Sequence, residues 1–194
     1  IFSHLTGRYV TVSNYPGTTV SITRGAGKFA DHTCEVIDTP GVYSLLPQSE
    51  DEQVTARVVF DEEPRCIVQV GDAKNLERTL LVTVQLLERG VPVILNLNMI
   101  DEAEQLRYKI NFEALAQKLG IPVVPTVAVE GRGVGPMDPP GDGDRRAYDS
   151  GAAFGGRRVR RGRRARPCRQ RVGSGVPYPE GSSRRVALVG GSSR

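Results

Sequence analysis

Between residues 20 and 128, short β-branched apolar runs alternate with segments of helical period, and no other feature restricts the possible folds so tightly. Cys34-Glu35-Val36-Ile37, Cys66-Ile67-Val68-Gln69-Val70 and residues 91–97 have the length and composition of buried strands. Residues 75–89 set Leu76, Leu80, Val84 and Leu87 along one helical face, and Gly90 stands where the helix stops. Asn111 can cap a second helix whose Phe112, Leu115, Ala116 and Leu119 repeat at i, i+3, i+4, i+7 before Gly120 ends it. Residues 122–127 then read as another strand. Such alternation calls for right-handed crossovers, and it predicts an α/β domain with a mainly parallel sheet flanked by helices. Residues 24–32 read as a turn joining 20–23 to the Cys34 strand, an antiparallel pair at the sheet edge.

Composition divides the chain. Residues 1–137 carry 12 Lys and Arg against 17 Asp and Glu, whereas residues 138–194 carry 14 Arg, no Lys and 5 acids. The basic overall pI therefore belongs to the second part and says nothing about what the first part binds. Residues 1–134 are expected to form the domain. Residues 135–194, rich in Gly, Pro, Ser and Arg, hold too few large apolar side chains to offset the entropy of ordering, so disorder is expected there. Their one apolar run, 186–189, is too short to fold alone. The cluster Arg157, Arg158, Arg160, Arg161, Arg163, Arg164 and Arg166 can hold phosphates by counterion release, but it lacks interleaved aromatics for stacking. Non-specific polyanion binding by a non-catalytic chain is thus the alternative reading, and no specific nucleic-acid partner is expected.

Cys34, Cys66 and Cys168 form no CxxC pair and have no histidine cluster nearby, which argues against a zinc site or a disulfide framework. Cys34 and Cys66 sit in strand-like runs and read as small buried hydrophobes. No apolar stretch approaches the ~20 residues of a membrane-spanning helix. No secretory signal pattern opens the sequence, so a cytoplasmic location is expected.

Two short patterns carry chemistry. Asp38-Thr39-Pro40-Gly41 follows one apolar strand and Asn98-Met99-Ile100-Asp101 follows another some sixty residues on. Each is weak alone, but in this order, each at the C-terminal end of a strand, they point to the ligand-binding edge of an open α/β sheet. A carboxylate at Asp101 can accept from both guanine N1–H and the exocyclic amine, groups that adenine does not present, so adenine leaves a buried acceptor unpaired. Asn98 would steady the loop and reach the other edge of the base. Asp38 would hold Mg²⁺ through water, and Gly41, with no side chain, lets its N–H approach a γ-phosphate.

At this point the sequence resembles a known family. NYPGTTV at 14–20 resembles the switch-one signature of the G domain of FeoB, the bacterial ferrous-iron transporter. DTPGVYSLLPQSEDEQVTARVV, DAKNLERTLLVTVQLLERGVPVILNLNMIDEA and IPVVPTVAVEGRG resemble that family's later segments, so the likeness runs through residues 1–134. It implies a Ras-like GTPase fold binding GTP or GDP with Mg²⁺, on the cytoplasmic face of the bacterial inner membrane, with a membrane transport domain in the same full-length chain. It implies Thr19 and Asp38 as metal ligands. The nucleotide-binding set is Thr19, Asp38, Gly41, Asn98, Met99, Asp101 and the loop Thr126, Val127 and Ala128, whose backbone N–H groups would meet guanine O6.

Two departures shape expectation. The family opens with a strand and a GxxxxGK[ST] phosphate loop, and Ile1 to Gly7 resembles the helix after that loop, so a sheet without its first strand and phosphate loop is expected, with impaired nucleotide binding. After residue 134 the likeness ends. Val42 stands where many small GTPases place a water-orienting Gln, which implies slow hydrolysis, and no catalytic residue is assignable.

Overall fold

The computed structural model describes residues 1–29, 32–134 and 184–190. Among the described residues seven strands form one sheet: β1 (Thr6–Asn14), β2 (Ser21–Phe29), β3 (His32–Asp38), β4 (Cys66–Asp72), β5 (Val93–Asn98), β6 (Val123–Pro125) and β7 (Arg184–Gly190). Their order is β1-β2-β3-β7-β4-β5-β6. The first three are antiparallel, and every pairing from β3 through β7 to β6 is parallel. Five α-helices accompany them among the same residues: α1 (Phe2–Leu5), α2 (Glu50–Phe60), α3 (Leu76–Glu88), α4 (Ile100–Gln105) and α5 (Phe112–Leu119). The mainly parallel sheet with helices matches the expectation from periodicity. The antiparallel pairing of β2 with β3 does too, but residues 24–29, expected in the turn, belong to β2, and β1 and not β2 forms the edge.

Local chemistry explains the helix ends. The Ser49 hydroxyl accepts from Glu52 N–H at the start of α2, and the Glu52 carboxylate accepts in return from Gln48 N–H. Asn111 caps α5 by accepting from Ala114 N–H, and Gly120 ends it in the left-handed conformation that glycine adopts without strain. The buried line of α3 differs from the expected one. Thr79, Val82, Thr83 and Leu86 are buried, while Leu76, Leu80 and Leu87 flank them. Close approach is the reason: a Cβ on Gly71 of β4 would stand 2.1 Å from Thr79 Cγ2, so the small Thr79 turns inward where leucine would not fit.

The position of β7 overturns two expectations. The sheet does not lack a strand between β3 and β4, because residues 184–190 occupy it, and this apolar run is not left unpacked. Val186 and Leu188 join one buried cluster, with Val36, Val68 and Ile94. Ala187 and Val189 join the other, with Ile37, Ile67 and Leu95. The alternation of a strand thus feeds both faces from the four residues of the apolar run, and burial between two parallel neighbours supplies the stability that the run lacks by itself. The rest of the expected disordered segment, including the arginine cluster and Cys168, lies outside the described residues. Cys34 and Cys66 are buried, as expected of small hydrophobes, and burial pushes the Cys66 thiol up to about 12. Among the described residues no helix is long and apolar enough to cross a membrane.

Candidate functional site

Because β3, β7, β4 and β5 run parallel, Asp38 and Asn98 leave the same edge of the sheet, with two strands between them. This is the edge where open α/β sheets place ligands. The predicted residues form two groups along it.

The first group surrounds a cleft of about 530 Å³ lined by Thr19, Ser21, Asp38, Thr39, Glu50 and Asp51, among others. Burial raises the Asp38 carboxyl above its ordinary value, offset in part by the amino terminus of Ile1. The Thr19 hydroxyl donates to Glu50 Oε2 at 2.9 Å, which draws the 14–20 loop onto the start of α2. Thr18, by contrast, is spent locally: its hydroxyl donates to Tyr15 O and accepts from Val20 N–H. Thr39 and Val42 tie the adjoining loop to β7. Thr39 N–H and Thr39 Oγ1 both donate to Leu188 O, at 3.1 and 2.9 Å, and Val42 N–H donates to Gly190 O at 2.8 Å. Gly41 is held against Gly190, since a Cβ on Gly190 would lie 3.8 Å from Gly41 Cα. Val42 points into the core, which removes its side chain from the cleft altogether.

The second group is built at the end of β5. Asn98 Oδ1 accepts from Ala128 N–H at 2.9 Å and from Thr126 Oγ1 at 3.2 Å, so one amide oxygen fixes the 126–128 loop. Met99 has φ 63 and ψ 37, an unusual conformation for a side chain-bearing residue. That left-handed step turns the chain from β5 into α4 and sets Asp101 in its first turn. The three loop N–H groups expected to face a base are all engaged within the chain: Thr126 with Leu97 O, Val127 with Arg132 O and Ala128 with Asn98. The Ala128 carbonyl accepts from His4 Nε2 at 2.8 Å, linking α1 to the same loop.

Sequence reading missed Thr39, Glu50, His4 and Gly190. Thr39 lies inside the quoted Asp38–Gly41 pattern, and residues 186–190 end an apolar run with glycine, so signals for both were present. Glu50 and His4 had none, since their partners are distant in sequence. Among the described residues no group of three His, Cys, Asp or Glu side chains could hold a metal ion by itself.

A mainly parallel sheet with Asp38 and Gly41 following one strand and Asn98-x-x-Asp101 following another has the layout of an α/β domain whose ligand-binding edge lies at its C-terminal strand ends. Comparison with known proteins refines this. The family described as ferrous iron transport protein B matches residues 1–138, and the chain belongs to that family, in its N-terminal G-domain part. It is 41% identical over 138 residues to the Fe(2+) transporter FeoB of Salmonella typhimurium and to that of Escherichia coli, covering 69% of this chain. The chain spans only 18% of the length of those relatives. Among solved structures it is similar to the cytosolic domain of L. pneumophila FeoB, with 44% identity and a TM-score of 0.65 over 69% of this chain and 53% of that one. The T. maritima FeoB G domain gives 33% identity and a TM-score of 0.64 over 76% and 88%. The cytosolic domain of T. maritima FeoB in its GMPPNP form gives 37% and 0.65, over 69% and 53%. Strand β7 lies outside the residues that match the family.

Proposed function

We propose that this chain is a guanine-nucleotide-binding switch domain serving a bacterial ferrous-iron transporter at the cytoplasmic face of the inner membrane. The observation that carries the reading is the placement of Asp38 and the Asn98–Asp101 turn at one sheet edge, in a chain similar to a FeoB domain solved in a GMPPNP form. Asp101 and Asn98 would select guanine, with the 126–128 loop behind the base. The intramolecular bonds of that loop's N–H groups would then have to yield or be shared for O6 to be met there. Thr19 and Asp38 would hold Mg²⁺. The residues fit that ion, because Asp38 is desolvated and forms no ion pair among the described residues, while Thr19 lines the same cleft. Mg²⁺ when bound supplies neutralisation of phosphate charge. Release of Thr19 from Glu50 would accompany its turn toward the metal.

Affinity is expected to be reduced. GxxxxGK[ST] does not occur in the sequence, so the amide cradle and lysine that usually meet the β-phosphate are not supplied by that motif. Charge-assisted hydrogen bonds contribute about 1.5–3 kcal/mol each, so losing three lowers affinity by several powers of ten. Calorimetry with GTP, GDP and ATP, with and without Mg²⁺, tests the assignment. The expected result is weak binding that prefers guanine and is strengthened by Mg²⁺, and Asp101→Asn shifts preference toward xanthosine nucleotides. Equal affinity for ATP and GTP would remove the guanine assignment. Tight GTP binding would show that the phosphate site lies elsewhere.

A further inference from the structure

Strands β3 and β4 are parallel neighbours in sequence but not in space. Two strand spacings separate them, about 9.5 Å. Residues 1–134 by themselves therefore present two unpaired strand edges facing each other across the width of one strand. We propose that this gap is a strand-acceptor site that takes residues 184–190 from a second copy of this chain, giving a dimer by strand exchange.

The recognition is specific and lies wholly between the two segments. Cys34 to Asp38 pair with Arg184 to Leu188 on one side, and Cys66 to Val70 pair with Val186 to Gly190 on the other. Val186, Ala187, Leu188 and Val189 are each at most 1% exposed, so the segment must offer apolar side chains to both faces. Charge sets the register. Arg185 Nε lies 3.1 Å from Glu35 and its Nη1 lies 3.7 Å from Glu62, and Arg24 reaches the same two carboxylates at 3.4 and 2.7 Å. A one-residue slip would carry Arg185 to the opposite face, into the apolar cluster.

Nothing in these contacts requires donor and acceptor to be one molecule. Residues 135–183, 49 in number, join Val134 to β7, and a tether of that length can extend as far as ~160 Å. A tethered strand competes at an effective concentration on the order of millimolar, so the chain's own strand fills the gap in dilute solution. A second copy's strand competes when chains fold together near that concentration, and both forms bury the same interface. Escape is then slow, because a central strand leaves only when the sheet opens. Exchange also reaches the candidate site: the 39–42 loop hydrogen-bonds to Leu188 and Gly190 carbonyls, so each copy's loop would be shaped by the other's strand.

The test uses the full chain. Refolding at ~1 mM should give a dimer by sedimentation that persists on dilution, and refolding at ~1 µM should give monomer. A second arm reverses the charges: Arg185→Glu in one chain, and Arg24→Glu, Glu35→Lys and Glu62→Lys together in another, so that residue 24 keeps opposite-charged partners. Either variant alone places like charges together, whereas exchange between them restores opposite charges in both gaps. Co-refolding should give a 1:1 heterodimer at least ~10-fold more abundant than either homodimer, melting above either variant alone. A wild-type chain that stays monomeric after refolding at ~1 mM overturns the proposal. So does a mixture that remains two separate species, even if the wild type dimerises, because that dimer would then use another surface.

Discussion

Asp38 carries a tension that a single substitution can expose. Desolvation raises its carboxyl pKa in the folded chain, with no ion pair among the described residues to hold the ionised form. A raised folded pKa means that ionisation weakens the fold above that pKa. The penalty is relieved as pH falls through it, and it vanishes below the ordinary carboxylate value. Asp38→Asn should therefore raise Tm near pH 7 and leave it unchanged near pH 3, measured by circular dichroism without metal. If Mg²⁺ binds there, it should raise the Tm of the natural chain and not that of the variant. Asn98 is the opposite case, a residue whose partners depend on it. Asn98→Ala strips Ala128 N–H of its acceptor and should cost about 1–3 kcal/mol in denaturant unfolding. Thr126 suffers less, because its hydroxyl also reaches Asn96 at 3.2 Å. The residue types at Asp38, Asn98 and Asp101 were readable because their chemistry is tied to short patterns. Glu50 and His4 were not, since each acquires its role from a partner 31 or 124 positions away.

At the scale of elements, α3 and α5 were legible from their period, whereas α2 and α4 were not read as helices. Asn111 and Gly120 bound α5 as their chemistry predicts, and Asn111→Ala should lower stability by about 1 kcal/mol. The face of α3 was less so, because its rotation is set by Gly71 on another element and not by its own leucines. Strand β7 gives the sharpest contrast between side chains of one element. Leu188 is buried and packs with Val36, Val68 and Ile94, so Leu188→Ala should cost about 2–5 kcal/mol. Arg185 is 42% exposed at its side chain, so Arg185→Ala should cost under about 1 kcal/mol despite its two carboxylate partners. Chemical denaturation of the two variants side by side tests whether packing or charge holds this strand.

For the molecule as a whole, placing β7 at the centre makes residues 1–134 and 184–190 one cooperative unit. Amides of residues 186–189 should then exchange hydrogen only with global unfolding, at the same free energy as those of β4. Faster exchange confined to 186–189 would show that the strand opens independently. The alternation of strands and helices, the two ligand-edge patterns and the family likeness were all local properties, decided by residues close in sequence, and the sequence alone determined them. That a run of apolar residues in an arginine-rich segment completes the sheet was not local. Its stability comes from two strand edges that end 146 and 112 residues before Arg184, at Asp38 and Asp72, and only their tertiary placement creates the gap it fills. Periodicity cannot report a vacancy between distant strands, whereas hydrogen-bonding edges and burial on both faces select the segment that fits it.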